Sequence, residues 1–179
     1  MDSLLSIQAI SKKQKKLLFT TWPYLQITTT QSCVELFESR IYDQSEYLTE
    51  VLNAQLEDKG EPIKVTFHVS CHSLRIQECI PVQKALIRQL KNVTLVDVPY
   101  EEECCGFGGT FSIKEPEISN AMVSEKIKHI RETGCSIVLA GDNGCILNIS
   151  GALAKQGITD IKVMNIYDFI YKRVTGEKL

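Results

Sequence analysis

Cys104 and Cys105 stand side by side in "EEECCGFGGTFSIKEPEIS" (Glu101–Ser119), with glycines at positions 106, 108 and 109. Cys71 lies upstream and Cys145 downstream, in the spacing C-x32-CC-x39-C. Four thiolates brought together from loops meet the needs of an iron–sulfur cluster or of a structural zinc. The spacing separates the two in part. Zinc sites draw paired ligands from C-x2–4-C knuckles, and the sequence contains none. Adjacent cysteines fit poorly around one tetrahedral ion and better around iron atoms spread over several ångströms. Gly106, Gly108 and Gly109 let backbone approach a bulky centre and offer N–H groups to sulfur. His72 and Arg75, beside Cys71, are placed to add hydrogen bonds or positive charge that would tune the centre.

Such thiols must be positioned by a folded scaffold, and 179 residues suffice for one good core, or for one domain with an incomplete appendage. Twenty basic residues against 22 acidic leave a net charge of −2, which draws the protein to neither nucleic acid nor anionic lipid. The basic run "KKQKK" (Lys12–Lys16) reads as a solvated face. No apolar run reaches membrane-spanning length, and "MDSLLSIQAISKKQKK" places charge after its apolar residues, the reverse of a secretory signal. The expectation is a cytoplasmic protein without membrane insertion. Seven cysteines then argue for metal or redox work rather than a disulfide framework, and an odd number excludes complete internal pairing.

From Ile63 onward, short β-branched runs alternate with helical patterns, which predicts an α/β fold: a parallel sheet with flanking helices, in Rossmann-like βα repeats. The strands are "IKVTFHVS" (Ile63–Ser70), "VTLVDV" (Val93–Val98), "SIVLAG" (Ser136–Gly141) and "IKVMNI" (Ile161–Ile166). Pro81 and Pro116 suit first helical positions, Gly134 a C-terminal cap, and further helices are expected from about Cys145 to Gln156 and after Tyr167. Upstream, "DQSEYLTEVLNAQL" opens with an Asp43/Glu46 capping box and predicts a helix with Leu48, Leu52 and Leu56 on one stripe, widened by Val51. "EDKGEP" (Glu57–Pro62) is a linker. In an open parallel sheet the loops at the carboxyl ends of neighbouring strands share one edge. Cys71 follows the first strand, Cys104 and Cys105 the second and Cys145 the third, so the four thiols converge on that edge although 74 positions separate the first from the last. Cys145 also falls near a helix N-terminus, whose positive dipole end suits an anionic centre.

"CHSLR", "CCGFGGTFSIKEPEIS" and "AGDNGCILNISGAL" resemble the cysteine-rich CCG domain shared by the B subunit of heterodisulfide reductase, the C subunit of anaerobic glycerol-3-phosphate dehydrogenase and lactate-utilisation protein A, with the last of these the nearest likeness. The resemblance runs from about Ile27 to Ile170. It implies a cytosolic iron–sulfur electron-transfer subunit of a lactate-oxidising oxidoreductase complex, with a 4Fe–4S cluster of unusual arrangement in some members, and other subunits as partners. The family motif ends in C-x-x-C, but the first of that pair is Asp142 here, which leaves Cys71, Cys104, Cys105 and Cys145 as the ligand set and gives Asp142 a supporting role. "TTTQSCVELFESR" resembles the end of a first CCG half whose strands and CC pair are absent. On this reading residues 1–60 are a helical remnant of that half, residues 61–179 are the cysteine-rich domain, and Cys33 is either inert or a vestigial or partner-completed ligand. An incomplete half would also leave an apolar edge for a partner or a second copy of the chain.

Other readings of the same residues stand beside these. The four cysteines could close a structural zinc site in a binding module without redox activity, or Cys104 or Cys105 could act as a nucleophile. Cys79 and Cys135 read as buried small hydrophobes, one beside a helix start and the other leading into a strand. His72 makes a poor base for Cys71 if the segment is extended, because neighbouring side chains then point to opposite faces. His68 reads as a strand residue and His129 as a helix-surface residue. Glu101, Glu102 and Glu103 read as a solvated loop or a docking face for a basic partner, and their charge argues against a phosphate site at "GFGG".

Overall fold

The β-branched runs form four strands: β1 (Ile63–His68), β2 (Val93–Val96), β3 (Ile137–Ala140) and β4 (Lys162–Asn165). The structure is a computed structural model and describes residues 40–179, so Cys33 and most of "TTTQSCVELFESR" lie outside the described residues. All strands pair in parallel in the order β2-β1-β3-β4. Each ends one or two residues earlier than its sequence run, because the next residues already serve turns and helix starts. The Ser70 carbonyl accepts the Leu74 N–H, Asp142 accepts the Cys145 N–H, and Asn165 accepts the Tyr167 N–H.

The helices follow their caps. α1 (Gln44–Glu46) starts at Asp43, whose side chain accepts the Ser45 N–H at 2.8 Å while Glu46 accepts the Asp43 N–H at 2.9 Å. α2 (Ile80–Gln89) carries Pro81 in its first turn. A single turn, α3 (Phe111–Lys114), precedes α4 (Pro116–Glu132), after which Gly134 takes a left-handed φ of +66°. α5 (Asn143–Lys155) and α6 (Ile166–Thr175) complete the chain. One expectation needs correction. α1 continues only through a π turn, Tyr47–Val51, and Asn53 then turns left-handed at φ +45°, a conformation that asparagine tolerates better than most residues. Leu48 and Leu56 still pack on the core, but Leu56 does so from irregular chain, and Val51 and Leu52 are exposed.

Successive residues of a strand face opposite sides. Val65, Phe67, Ile137 and Leu139 therefore pack with Leu86 and Ile87 of α2 and Phe169 and Ile170 of α6. Val138 joins Val123, Ile127 and Ile130 of α4 and Ile149 and Leu153 of α5 on the other side, in a cluster that also contains Cys105 and Cys145. The chain runs from β1 to β2 in one direction and crosses back to β3 in the other. The carboxyl ends of β1 and β3 thus flank the switch point at which doubly wound sheets open a crevice.

One buried ion pair ties the linker to the last helix. Arg173 donates through Nε to Asp58 Oδ1 at 2.7 Å, through Nη2 to Oδ2 at 2.8 Å, and through Nη1 to the Glu61 carbonyl. The two side chains are 3% and 0% exposed. Burial alone would raise the Asp58 pKa, but Arg173 and the N–H groups of Asn92 and Gly60 outweigh it and hold the carboxyl below its ordinary 3.8. Breaking the pair leaves a guanidinium buried without its counter-charge, so Asp58→Ala should cost about 3–5 kcal/mol in urea unfolding at neutral pH. A carboxyl depressed in the folded state stabilises fully above its unfolded pKa and loses that contribution as pH falls through the folded one. The difference between parent and variant should therefore narrow below about pH 4. Equal unfolding midpoints at neutral pH would show that the pair contributes nothing.

Candidate metal centre

Each loop at the carboxyl edge is shaped by identifiable contacts. After β1 the Ser70 hydroxyl accepts the Ser73 N–H at 3.1 Å, and the chain bends at once into a helical turn that continues as the π turn Ser73–Gln77. Cys71 and His72 are therefore helical rather than extended, and both line one cavity. Arg75 is exposed and outside the lining; its charge acts on Cys71 from a distance, against a net rise of the thiol pKa caused first by burial and then by Cys104.

The loop after β2 is held from three helices. Lys84 of α2 pairs with Asp97 at 3.1 Å and with Glu101. Lys126 of α4 donates to the carbonyls of Tyr100 and Glu101 at 3.2 and 3.1 Å. His129 Nδ1 of α4 lies 2.9 Å from Glu103, and the Ser119 hydroxyl donates to the Gly106 carbonyl at 2.8 Å. Asn148 of α5 donates to the Cys105 carbonyl at 2.7 Å. Gly106 turns the chain at φ +80°, and a Cβ there would fall 2.7 Å from the Ser119 carbonyl oxygen, so this position combines a left-handed backbone with a close backbone neighbour. These contacts revise two expectations. His129 is 6% exposed and buried against the loop, and two of the three glutamates, Glu101 and Glu103, are paired.

Cys145 sits in the first turn of α5, where Asp142 caps the helix and accepts the Cys145 N–H at 3.0 Å. A Cβ on Gly144 would lie 2.4 Å from the Phe107 ring, so the glycine lets Phe107 lie against this turn. The result is a cavity of about 340 Å3 at the switch point, lined by Cys71, Cys104, Cys105 and Cys145, by His72 and Asp142, and by Gly108 and Gly109 beside Phe107. Cys79 and Cys135 are buried elsewhere, one before α2 and one before β3.

Within the cavity the thiols interact in series: Cys71 with Cys104, Cys104 with Cys105, and Cys105 with Cys145. The neighbouring Cys105 and then burial push the Cys104 pKa far above the thiol range. Cys104 pulls Cys105 downward, but Cys145 and burial outweigh it and leave Cys105 at about 12. Crowded thiols hold their protons until a cation neutralises them, and a metal ion does so by deprotonating its ligands outright. Sulfur also meets backbone donors. The Gly106 N–H reaches Cys104 Sγ at 3.3 Å, the Phe107 N–H bonds to Cys105, and the His72 N–H bonds to Cys71. This donor set fits an iron–sulfur cluster: soft ligands, N–H groups aimed at sulfur, and flexible glycine backbone at the rim.

Two residues at the centre escape a reading of the sequence. His68 ends β1 on the face toward α4 and α5; it is 1% exposed, and neither ring nitrogen has a hydrogen-bond partner among the described residues. A ring nitrogen, Cys105 Sγ and Cys145 Sγ all lie within 4.8 Å of one another. Burial and then the Lys126 charge lower the His68 pKa to about 3, so the imidazole is neutral. Lys126 is itself 1% exposed; burial lowers its pKa, while Glu103, Cys105, Glu101 and Cys104 favour its charged form. The available signal was its place between Met122 and Ile130, at i+4 spacing on an apolar stripe.

The cysteine-rich domain family CCG matches residues 65–150. Over 134 residues the chain is 40% identical to "Lactate utilization protein A" of Oceanobacillus iheyensis, an alignment covering 74% of this chain and 54% of the relative. For the protein of the same name in Geobacillus sp. (strain WCH70) the identity is 37% over 145 residues, 80% of this chain and 60% of the relative. For that of Bacillus pumilus it is 34% over 164 residues, 88% and 67%. The chain spans about half the length of the first of these relatives. Among the described residues, no helix is long and apolar enough to cross a membrane.

Proposed function

This chain belongs to the lactate utilization protein A family, built on the cysteine-rich CCG domain, and on that premise we propose that it is an iron–sulfur electron-transfer subunit of a lactate-oxidising complex. The observation that carries the proposal is the meeting of Cys71, Cys104, Cys105 and Cys145 in one cavity at the switch point of the sheet. These four thiolates would hold the cluster, of the 4Fe–4S class. When bound, the cluster supplies one-electron transfer.

The remaining work belongs to the chain's own residues. The N–H groups of Gly106, Phe107 and His72 donate to ligand sulfur and so favour the charged thiolates. Lys126 places a buried positive charge near the Cys105 loop, which favours the more negative, reduced state. Phe107 packs against Gly144 at the cavity wall and limits the entry of water. Oxidation of the organic substrate falls to partner subunits, with this chain passing electrons between them. Residues 61–179 would form the cluster-binding domain, and residues 1–60 the remnant of a first cysteine-rich half.

Metal and sulfide content of protein purified without oxygen tests this reading. The expected result is iron and acid-labile sulfide near about four each per chain, with brown colour and visible absorption. Stoichiometric zinc without sulfide would overturn it in favour of a structural site.

A further inference from the structure

We propose that His68 is a direct ligand of the metal centre held here, binding through a ring nitrogen at the end of the centre next to Cys105 and Cys145. The proposal deepens the function proposed above and concerns a residue beside two of the same cavity's thiols, Cys105 and Cys145. A buried imidazole without a partner at either nitrogen among the described residues is a costly occupant of a strand, since polar groups in protein interiors are nearly always satisfied. An apolar side chain would fill the position without that cost. What faces the ring is the pair of buried thiols, with all three donor atoms inside 4.8 Å of one another. One tetrahedral ion with metal–sulfur bonds of about 2.3 Å and a metal–nitrogen bond of about 2.0 Å holds its donors roughly 3.5–3.8 Å apart. A contraction of about 1.0–1.3 Å at most, within reach of side-chain rotation, closes the set.

The surrounding structure supports this placement. His68 pairs in register with Ala140 of β3, and residues paired across a parallel ladder face the same side, so a methyl group is the ring's neighbour there and leaves it space. Asp142, the oxygen donor in the cavity wall, caps α5 through its bond with the Cys145 N–H. Cys104, next in the series of interacting thiols, would then bind a different iron atom. Nitrogen in place of sulfur at one iron raises the reduction potential above that of an all-thiolate centre.

The test uses the full chain labelled with 15N-histidine, prepared without oxygen and loaded in one sample with iron and sulfide and in another with Co2+ alone. The reduced iron centre should show a directly coupled nitrogen in pulsed electron paramagnetic resonance, lost in His68→Gln and kept in His72→Gln. Co2+ should bind His68→Gln about ten- to a hundredfold more weakly, with far-ultraviolet circular dichroism unchanged. His68→Cys should recover the affinity and gain the charge-transfer absorption of one more thiolate. An iron centre without coupled nitrogen, or one whose coupling disappears in His72→Gln instead, overturns ligation by His68 and leaves the iron–sulfur reading intact. Co2+ bound through His68 where no iron centre forms keeps the ligation and removes the iron–sulfur reading. Failure of both metals to bind overturns both.

Discussion

Cys105→Ser should lower bound iron and acid-labile sulfide from about four per chain to below about one, with visible absorption lost in parallel and the chain still folded. The size of this effect follows from position. Cys105 is 1% exposed and interacts with both Cys104 and Cys145, so it is the more buried of the two interior links in the series of thiols. Serine presents a harder oxygen whose proton is far more difficult to remove, in a cavity where even the thiol pKa is pushed up to about 12. The loop itself should persist, because Asn148 holds the Cys105 carbonyl and Ser119 the Gly106 carbonyl, and neither contact involves sulfur. Cys71 is partly exposed at the rim, so Cys71→Ser should give a smaller loss. Metal analysis of the three proteins checks the order, and full iron retention in Cys105→Ser would remove that residue from the ligand set.

Lys126→Met should lower the reduction potential of the loaded centre by roughly 90 mV, the value of about 2 kcal/mol for one unit charge at an assumed separation of about 8 Å and an effective dielectric of about 20. Methionine keeps much of the apolar stem of lysine and removes the ammonium. The Tyr100 and Glu101 carbonyls then lose the donor that holds them three to five residues before the adjacent cysteines. A second effect should accompany the first: iron released to a chelator about tenfold faster, as the loop loses one anchor. Potentiometric titration decides the first effect, and an unchanged potential would show that the Lys126 charge is screened from the centre.

Much of this architecture is legible in the sequence because local chemistry and global pattern agree. Asp43 with Glu46, Pro81, Pro116 and Gly134 mark helix ends that the structure keeps. The rule that parallel strands present their carboxyl-end loops on one edge is enough to gather cysteines 74 positions apart. The exceptions have a common cause. A strand packed on both faces gives no inside–outside alternation, so the pattern cannot say that His68 lies beside Cys105 and Cys145. Lys126 looks like an interruption of an apolar stripe until its carbonyl partners, 25 and 26 residues away, are known. Leu52 fits the stripe of Leu48 and Leu56 on a helical wheel, but Asn53 ends the helix, a backbone event that side-chain periodicity does not record.

The anchors of the cysteine loop carry a consequence for timing. They join Lys84 to Glu101, Lys126 to Glu101, His129 to Glu103 and Asn148 to Cys105, across separations of 17, 25, 26 and 43 residues. Contacts this distant in the chain form only as the helices dock, not while each segment leaves the ribosome. A nascent chain that has emerged as far as Lys126 already displays Cys71, Cys104 and Cys105, yet α5, with Cys145 and Asn148, has still to emerge. Under the proposed function, delivery of iron and sulfide would wait until α5 has emerged and docked, and the three early thiols are open to stray metals and oxidants until then.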